Sequence, residues 1–555
     1  MSKKRDKVMV VGLDGCTFDI ITPLVEQGML PNFAELIQNG TSGRLATTIP
    51  PTSAPAWTTF QTGVNPGKHG VFDFLLNKAE SYSYTPVNST FVKAKRFWQY
   101  LSDLDRSVGL VNLLFTYPPT PVKGYVVSGK QTPSEQADYT YPSELKNKIL
   151  SLQPEYQVEP FHRVNQTLRF LQRVPQILKK QEEINTYLLT NYPTDFFMTF
   201  FAVPDVIQHT FWRHIDPKHP QFCPRESSRY KPLFEKCFEQ IDCILGQRMQ
   251  AMDNDTTLVI MSDHGGNGLY RTVEINRWLQ ELNLLKVRSP LKGHKAILLS
   301  KLKSLAYAVD DLVEKFDVMG VKRRIKLATR AKRQTFARQN AIDWENSKAY
   351  SGRNSEQGIF INLKGREGCG TVDPEREYEE LRNDIIEKLW ALRDPESGNC
   401  PFQGIYKRES LYSEPYMHFA PDIVLDVGDT HYQCGDALFA KNVFNTVRKY
   451  AVNGKHSKEG ILIAYGNKIN QGRWITDAHI QDLAPTIMYA MQEKIPAYMD
   501  GGVLKELFNE NYVKKHPVLF DESCSISESK EKEEMNYTAD ETQAIEKRLK
   551  DLGYM

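Results

Sequence analysis

Three short runs of this chain are almost wholly apolar, and each leads straight into an acid. Lys7 to Leu13 (KVMVVGL) runs into Asp14-Gly15, Asp195 to Val203 (DFFMTFFAV) into Pro204-Asp205, and Asp255 to Met261 (DTTLVIM) into Ser262-Asp263-His264-Gly265-Gly266. Runs of this length with no polar alternation leave no face for water. They read as strands buried on both sides, the condition of a parallel sheet covered by helices. In such sheets ligands gather beyond the carboxyl ends of the strands. Asp14, Asp205, Asp263 and His264 therefore occupy functional addresses.

The segments between these runs carry helical patterning. Met29 to Leu36 opens with Pro31 in its first turn and closes at Asn39-Gly40. Residues 130–190 read as mostly helical, with Gln176 to Tyr192 one long amphipathic element entered just after Pro175. Residues 226–252, Val273 to Leu285, Glu375 to Leu392 and Asp482 to Met491 read as further helices, and Pro421 to Asp426 and Ile461 to Ala464 as further strands. The expected fold is α/β: a doubly wound, mostly parallel central sheet flanked by helices. Residues 286–341 differ in composition, with fifteen Lys/Arg against four acids and apolar residues at helical spacing. They read as a basic helical insertion. The catalytic domain is then 1–285 with 342–515, and 520–555 is an acidic linker followed by a C-terminal helix. A polyanion- or membrane-surface-binding role for the insertion is the non-enzymatic alternative.

A formal net charge of +2 gives no reason to expect nucleic acid as a partner. Eight cysteines are scattered without a C-x-x-C pair, so neither a zinc knuckle nor a disulfide framework is indicated. The opening MSKKRDKVMVVGLDG has no long apolar signal core, and no stretch approaches the ~18 apolar residues that span a bilayer. A soluble, cytoplasmic protein is expected; oligomeric state is not legible.

Thr47 to Phe74 (TTIPPTSAPAWTTFQTGVNPGKHGVFDF) is loop chemistry leading into a compact helix. Thr52 or Ser53 at its mouth reads as an N-cap, or as a hydroxyl facing a phosphate at the helix amino terminus. Asp205 and His209, four apart at the start of a helix, share one face and suit a single metal. His456 stands in a glycine-flanked loop ahead of Ile461 to Ala464. The carboxylate and imidazole donors make up two three-ligand sets of mixed N/O type. That chemistry suits two divalent cations, zinc before manganese or iron, placed to bind the attacking and leaving oxygens of a phosphoryl displacement.

The order of these segments resembles the alkaline phosphatase superfamily, most closely its type I phosphodiesterase/nucleotide pyrophosphatase branch. The resemblance runs through VVGLDG, LPNFAELIQNG, TSAPAWTTFQTGVNPGKHGVFDF, VPDVIQH, MSDHGG, GIFINLKGRE, GKHSKEG, DLAPTIMYAM and the terminal IEKRLKDLGYM. It implies one metal on Asp205, His209 and His456, and a second on Asp14, Asp263 and His264 with Ser53 as its fourth ligand. It also implies that Ser53 is the nucleophile, forming a covalent phosphoserine on a small phosphate-ester substrate; Thr52 is the rival, and Ser53 is preferred because it stands two residues before Pro55. Family members carry an Asn-His pair after the proline where this chain has Ala56-Trp57. A phosphomonoesterase or metal-dependent phosphosugar mutase of the same superfamily is the enzymatic alternative, while TSAPAWTT lacks the arginine of sulfatases.

Overall fold

The computed structural model of the protein describes residues 5–78, 80–158, 167–288, 341–352, 355–447, 452–525 and 534–552. Its centre is a nine-stranded sheet: β1 (Lys7–Leu13), β2 (Thr41–Ala46), β3 (Val108–Val111), β4 (Gly124–Val127), β5 (Thr140–Tyr141), β6 (Phe196–Phe201), β7 (Thr256–Met261), β8 (Glu459–Tyr465) and β9 (Arg473–His479). The spatial order is β9-β2-β8-β7-β1-β6-β3-β4-β5. Only β8 and β5 run against the others. β1 lies in the middle, paired in parallel with β6 through Val8↔Phe196 and with β7 through Val8↔Thr257. Every residue of β6 and β7 is buried, as continuous apolar runs require when helices cover both faces.

Direction in the sheet places the site. β1, β2, β6 and β7 all point the same way, so the segments that follow them emerge on one edge. β8 is antiparallel to its neighbours, so its amino end lies on that edge too. The residues just before β8 therefore meet the residues just after β1, β2, β6 and β7.

A second core lies between Val273 and Phe444, built from Trp278, Ile359, Ile361, Ile385, Leu389 and Leu425 among others. Its framework is a four-stranded antiparallel sheet, in the order Ala349–Gly352, Ser355–Ile361, Ile423–Asp426, Gly404–Lys407, with the helix Arg376–Ala391. That helix turns Arg382, Ile385 and Leu389 inward, a stripe at helical spacing.

Several local expectations shift. The long helix runs Leu168–Asn191 and carries Pro175 inside it rather than before it. Proline removes the N–H that would bond Leu171 O; the Cys237 thiol, which bonds Leu233 O at 3.2 Å, lies 3.9 Å from that carbonyl. Residues 128–144 are turns and the short β5 rather than helix. Val273 belongs to a strand, Arg271–Glu274, and the helix there is only Ile275–Glu281. Most of the expected basic insertion (289–340) and the middle of the acidic linker (526–533) lie outside the described residues. The C-terminal helix, Ala539–Leu552, packs Ile545 and Leu549 into the main core together with Tyr537. No helix among the described residues is long and apolar enough to cross a membrane.

Candidate metal centre and nucleophile

All seven side chains singled out in the sequence meet at the carboxyl edge of the sheet. Asp14 follows β1 and is fully buried. Gly15 turns the chain there at φ +66, a left-handed conformation that suits glycine, and a β-carbon on it would lie 2.9 Å from Asp205 Cβ. Glycine thus lets Asp14 and Asp205 approach each other. Asp205 and His209 lie one turn apart in the helix Val203–Ile215, which starts directly after β6. Asp263 and His264 follow β7.

His456 arrives by a different route. The stretch read as a loop is a strand, Gly454–Ser457, paired antiparallel with Gly265–Gly268 so that Gly266 faces His456. That register stacks the His456 ring on His264, with centroids 3.8 Å apart, and brings it edge-on to His209 at 4.8 Å.

The ligand atoms fall into two groups, Asp205–His209–His456 and Asp14–Asp263–His264, each within 4.8 Å. Ser53 begins the helix Ser53–Thr62, with Thr52 as its N-cap residue. Ser53 Oγ lies 3.0 Å from His264 Nε2 and 3.5 Å from Asp14 Oδ1. Thr52 Oγ1 is buried with no hydrogen-bond partner among the described residues.

The imidazole tautomers follow from their backbone contacts. Nδ1 of His209 lies 2.9 Å from Gly454 O, that of His264 2.9 Å from Gly265 O, and that of His456 2.8 Å from Pro51 O. A carbonyl only accepts, so each Nδ1 donates and each Nε2 presents its lone pair to the cluster. Nε2 of His209 and Nε2 of His456 then face each other at 2.9 Å, which demands a positive charge between them. A carbonyl on the far nitrogen is the arrangement that orients metal-ligating histidines.

The electrostatics show the same demand. Burial, then the charges of Asp263 and Asp205, push the Asp14 carboxyl well above the usual carboxylate range. Burial raises Asp263 to about 7, the nearby Asp205 charge adding to it. Asp263 Oδ2 is buried and lies 3.2 Å from His264 Nε2. Burial would also raise Asp205, but the charge and hydrogen bond of His209 and the hydrogen bond of His456 outweigh it and hold Asp205 well below its usual value. His209 is raised in turn: burial opposes its charge, and Asp205 overcomes that. Burial lowers His264, and it lowers His456 to about 3 with the help of the His264 charge. Three buried carboxylates and three imidazoles whose Nε2 atoms face them form a donor set that fits two divalent cations.

Supporting residues escaped the sequence reading. The Trp57 indole N–H points at Asp14 Oδ1 at 3.4 Å, and the Gln208 amide donates to Gly15 O at 2.7 Å. Trp57 is four residues beyond Ser53 on one helix, a spacing that puts both on one face, so its signal was present. Lys130, buried in the turn after β4, lowers the Asp14 pKa by its charge. It follows a strand end as Asp14 does, and that position was its only signal.

The family model of type I phosphodiesterase/nucleotide pyrophosphatase matches residues 8–457. No curated protein matches the chain. Among solved structures, phosphonoacetate hydrolase from Sinorhizobium meliloti 1021, in complex with phosphonoacetate, is similar at 14% identity and a TM-score of 0.48, over 88% of this chain and 95% of that one. Human ectonucleotide pyrophosphatase/phosphodiesterase 5 is similar at 13% identity and a TM-score of 0.44, over 92% of this chain and 99% of its own.

Proposed function

The chain belongs to the type I phosphodiesterase/nucleotide pyrophosphatase family and is a hydrolase, and from that premise we propose that it cleaves a phosphodiester or pyrophosphate bond through a phosphoserine at Ser53. The observation that carries the reading is the position of the Ser53 oxygen. It is buried at the start of a helix, within 3.5 Å of both His264 Nε2 and Asp14 Oδ1. Asp205, His209 and His456 would hold one cation, and Asp14, Asp263 and His264 the other, with Ser53 completing the second set. Zinc suits this donor set best. When bound, the two ions would supply Lewis-acid stabilisation of the attacking and leaving oxygens.

The chain's own groups do the rest. The 3.0 Å approach to His264 Nε2 keeps the Ser53 oxygen among the ligand atoms of the second set. The helix amino terminus favours an anionic phosphoryl group beside it. Ser53 Oγ forms a bond to phosphorus as the bond to the leaving oxygen breaks, and the serine proton departs with the leaving group; water then forms a bond to phosphorus as the Oγ–P bond breaks, one of its protons restores the alcohol, and a phosphate monoester is released. Trp57 holds Asp14 by its N–H, and Gln208 holds the Gly15 turn. We place the enzyme in the cytoplasm, the compartment that suits eight free thiols.

One observation favours a phosphomonoesterase instead. Ala56-Trp57 replaces the Asn-His pair of the branch, and the Trp57 N–H faces Asp14 rather than a substrate oxygen. The test compares bis-p-nitrophenyl phosphate with p-nitrophenyl phosphate on zinc- and manganese-loaded protein, with acid-quenched samples searched for a phosphorylated Ser53 peptide. Preferential cleavage of the diester with label on Ser53 is expected. Cleavage of the monoester alone selects the second reading, and label on Thr52 overturns the nucleophile.

A further inference from the structure

The helix that carries Ser53 is held from outside itself. All ten of its residues are buried, yet Thr52 at its N-cap makes no side-chain cap bond, and Pro55 brings no N–H to the first turn. The loop before it, Ile49 to Thr52, is tied at alternate carbonyls by two side chains from far along the chain. His456 Nδ1 donates to Pro51 O at 2.8 Å, and Tyr412 OH donates to Ile49 O at 2.6 Å. Between them, Thr48 Oγ1 and Thr52 N–H close a local turn on Pro50 O, at 3.1 and 3.0 Å.

Tyr412 lies on the four-stranded sheet of the second core. Its ring meets Phe72 edge-on at 5.0 Å and packs in a small apolar cluster with Ala420 and Val424, against which Ile49 and Tyr406 lie. Val424 and Tyr406 pair across two strands of that sheet, which therefore turns one face to the Ser53 segment. The residues after Tyr412 take hold of the chain beyond the helix. Ser413 N–H donates to Asn65 Oδ1 at 3.1 Å, Asn65 Nδ2 to Ser413 Oγ at 3.1 Å, and Tyr416 N–H to Gly67 O at 2.8 Å. A β-carbon on Gly67 would collide with Ser413 O, so only glycine lets the two segments approach. The stretch from Tyr412 to Tyr416 thus clasps the chain on both sides of the nucleophile helix. Tyr412 itself is 8% exposed, and burial raises its phenol pKa, so the hydroxyl keeps its proton and stays a donor.

We propose that Tyr412 is a positioning residue for the Ser53 nucleophile: its hydroxyl, on the Ile49 carbonyl, fixes the loop that aims Ser53 Oγ at the transferring phosphorus. This rests on the phosphoserine reading above. In-line attack depends on where the attacking oxygen is held, and small displacements of it are costly to the rate. Ile49 stands four residues before Ser53, so a shift of its peptide is passed on to Oγ. Tyr412 touches no reacting atom; it acts on the backbone of the loop. Without its hydroxyl the loop keeps its tie to His456 and loses the one to the second core. The aim of Ser53 then suffers, while the ligand sets and the substrate's own contacts are untouched.

The test uses the full-length, zinc-loaded protein, with zinc content and thermal midpoint read on every sample. Tyr412→Phe keeps the ring and removes only the hydroxyl. It should lower kcat on bis-p-nitrophenyl phosphate about three- to tenfold, the loss of one hydrogen bond, with KM within about twofold and zinc content unchanged. Vanadate, which mimics the five-coordinate transferring group when a serine oxygen joins it, should bind more weakly by the same factor. Inorganic phosphate should bind as it does to wild type. Tyr406→Phe, in the same apolar cluster, should change none of these readouts. A lower thermal midpoint with kcat per zinc-loaded molecule unchanged would make the contact structural only and overturn the proposal. A rise in KM at constant kcat, or a loss of zinc, would overturn it as well. Should wild-type protein turn over no ester at all, the hydrolase reading fails separately and the vanadate titration decides. Weaker binding by Tyr412→Phe then upholds the positioning role, and equal or absent binding overturns it.

Discussion

Two carboxylate sites in this molecule are equally buried and behave in opposite ways. Asp14 and Asp263, at the edge of the main sheet, are 0% exposed, and so is Asp422 in the second core. Asp422 is surrounded by donors. Arg366 grips both its oxygens at 2.7 Å, Tyr378 OH donates at 2.8 Å, Ile361 N–H donates at 2.7 Å, and Arg408 lies at 3.2 Å. Burial alone would raise its pKa, but Arg366 and these partners outweigh it and hold Asp422 below its usual value. Asp14 and Asp263 face each other, Asp205 and three imidazoles, and both are raised. The desolvation problem is the same; the neighbours differ. Where the compensating charge is built into the chain, the acid is structural. Where acids are gathered among histidine lone pairs, the compensation comes from outside, and the site is ready for cations.

That contrast can be broken most severely at Ser53. Ser53→Ala should lower kcat/KM by about a thousandfold or more while Asp422→Asn leaves kcat per folded molecule nearly unchanged, both read on bis-p-nitrophenyl phosphate. Metal removal comes next. Chelation should abolish turnover, and zinc at about a thousand times its Kd should restore it and add about 4 kcal/mol to unfolding free energy for each of the two sites, measured by denaturant titration. Equal stability with and without zinc would contradict the idea that the edge cluster awaits cations. Asp422→Asn should cost about 1–3 kcal/mol whether or not zinc is present, because it removes the carboxylate charge that Arg366 and Arg408 share and leaves Arg366 to Glu367 and Ile361 O.

Acidity sharpens the comparison inside the second core. Burial, helped by the charge of Asp422, raises Glu367 to about 7. Between its ordinary value and 7 the folded chain keeps a proton that the unfolded chain has shed. Wild-type stability therefore falls, on this account, as pH rises through that window, and Glu367→Gln should remove about 1–2 kcal/mol of the slope in urea titrations from pH 4.5 to 7.5. Asp422 works the other way: its contribution is full above the ordinary carboxylate pKa and is lost as pH falls through its depressed value. The smallest effect on activity belongs to Trp57→Phe, which removes one N–H from Asp14 and should lower kcat/KM a few-fold, about 1 kcal/mol, together with a stability loss of about 1–3 kcal/mol from the buried volume it vacates between Phe60 and Phe200.

Much of the architecture was legible because its causes are local. KVMVVGL, DFFMTFFAV and DTTLVIM are strands buried on both faces by composition alone, and the acids after them inherit a place on the sheet edge. That a helix opens at Ser53 was legible from the loop chemistry before it. Pro175 misled because the helix is held on both sides of it by the burial of Leu171, Val174 and Leu178 in the main core, which no local window contains. The strand at Val273 was hidden for a similar reason, since it is defined by pairing with Tyr432–Gly435 and Phe444–Thr446.

Which side chains this chain can offer, and at which strand ends, its order of residues determined by itself. Which of them meet was decided only in three dimensions. His456 reaches His264 because β8 is inserted antiparallel between β2 and β7 and because Gly266 pairs opposite it. Tyr537 reaches Gln131 across 406 positions because a C-terminal helix packs on the main core. Strand order and register are set by the burial of whole faces at once, a cooperative quantity that no single segment carries.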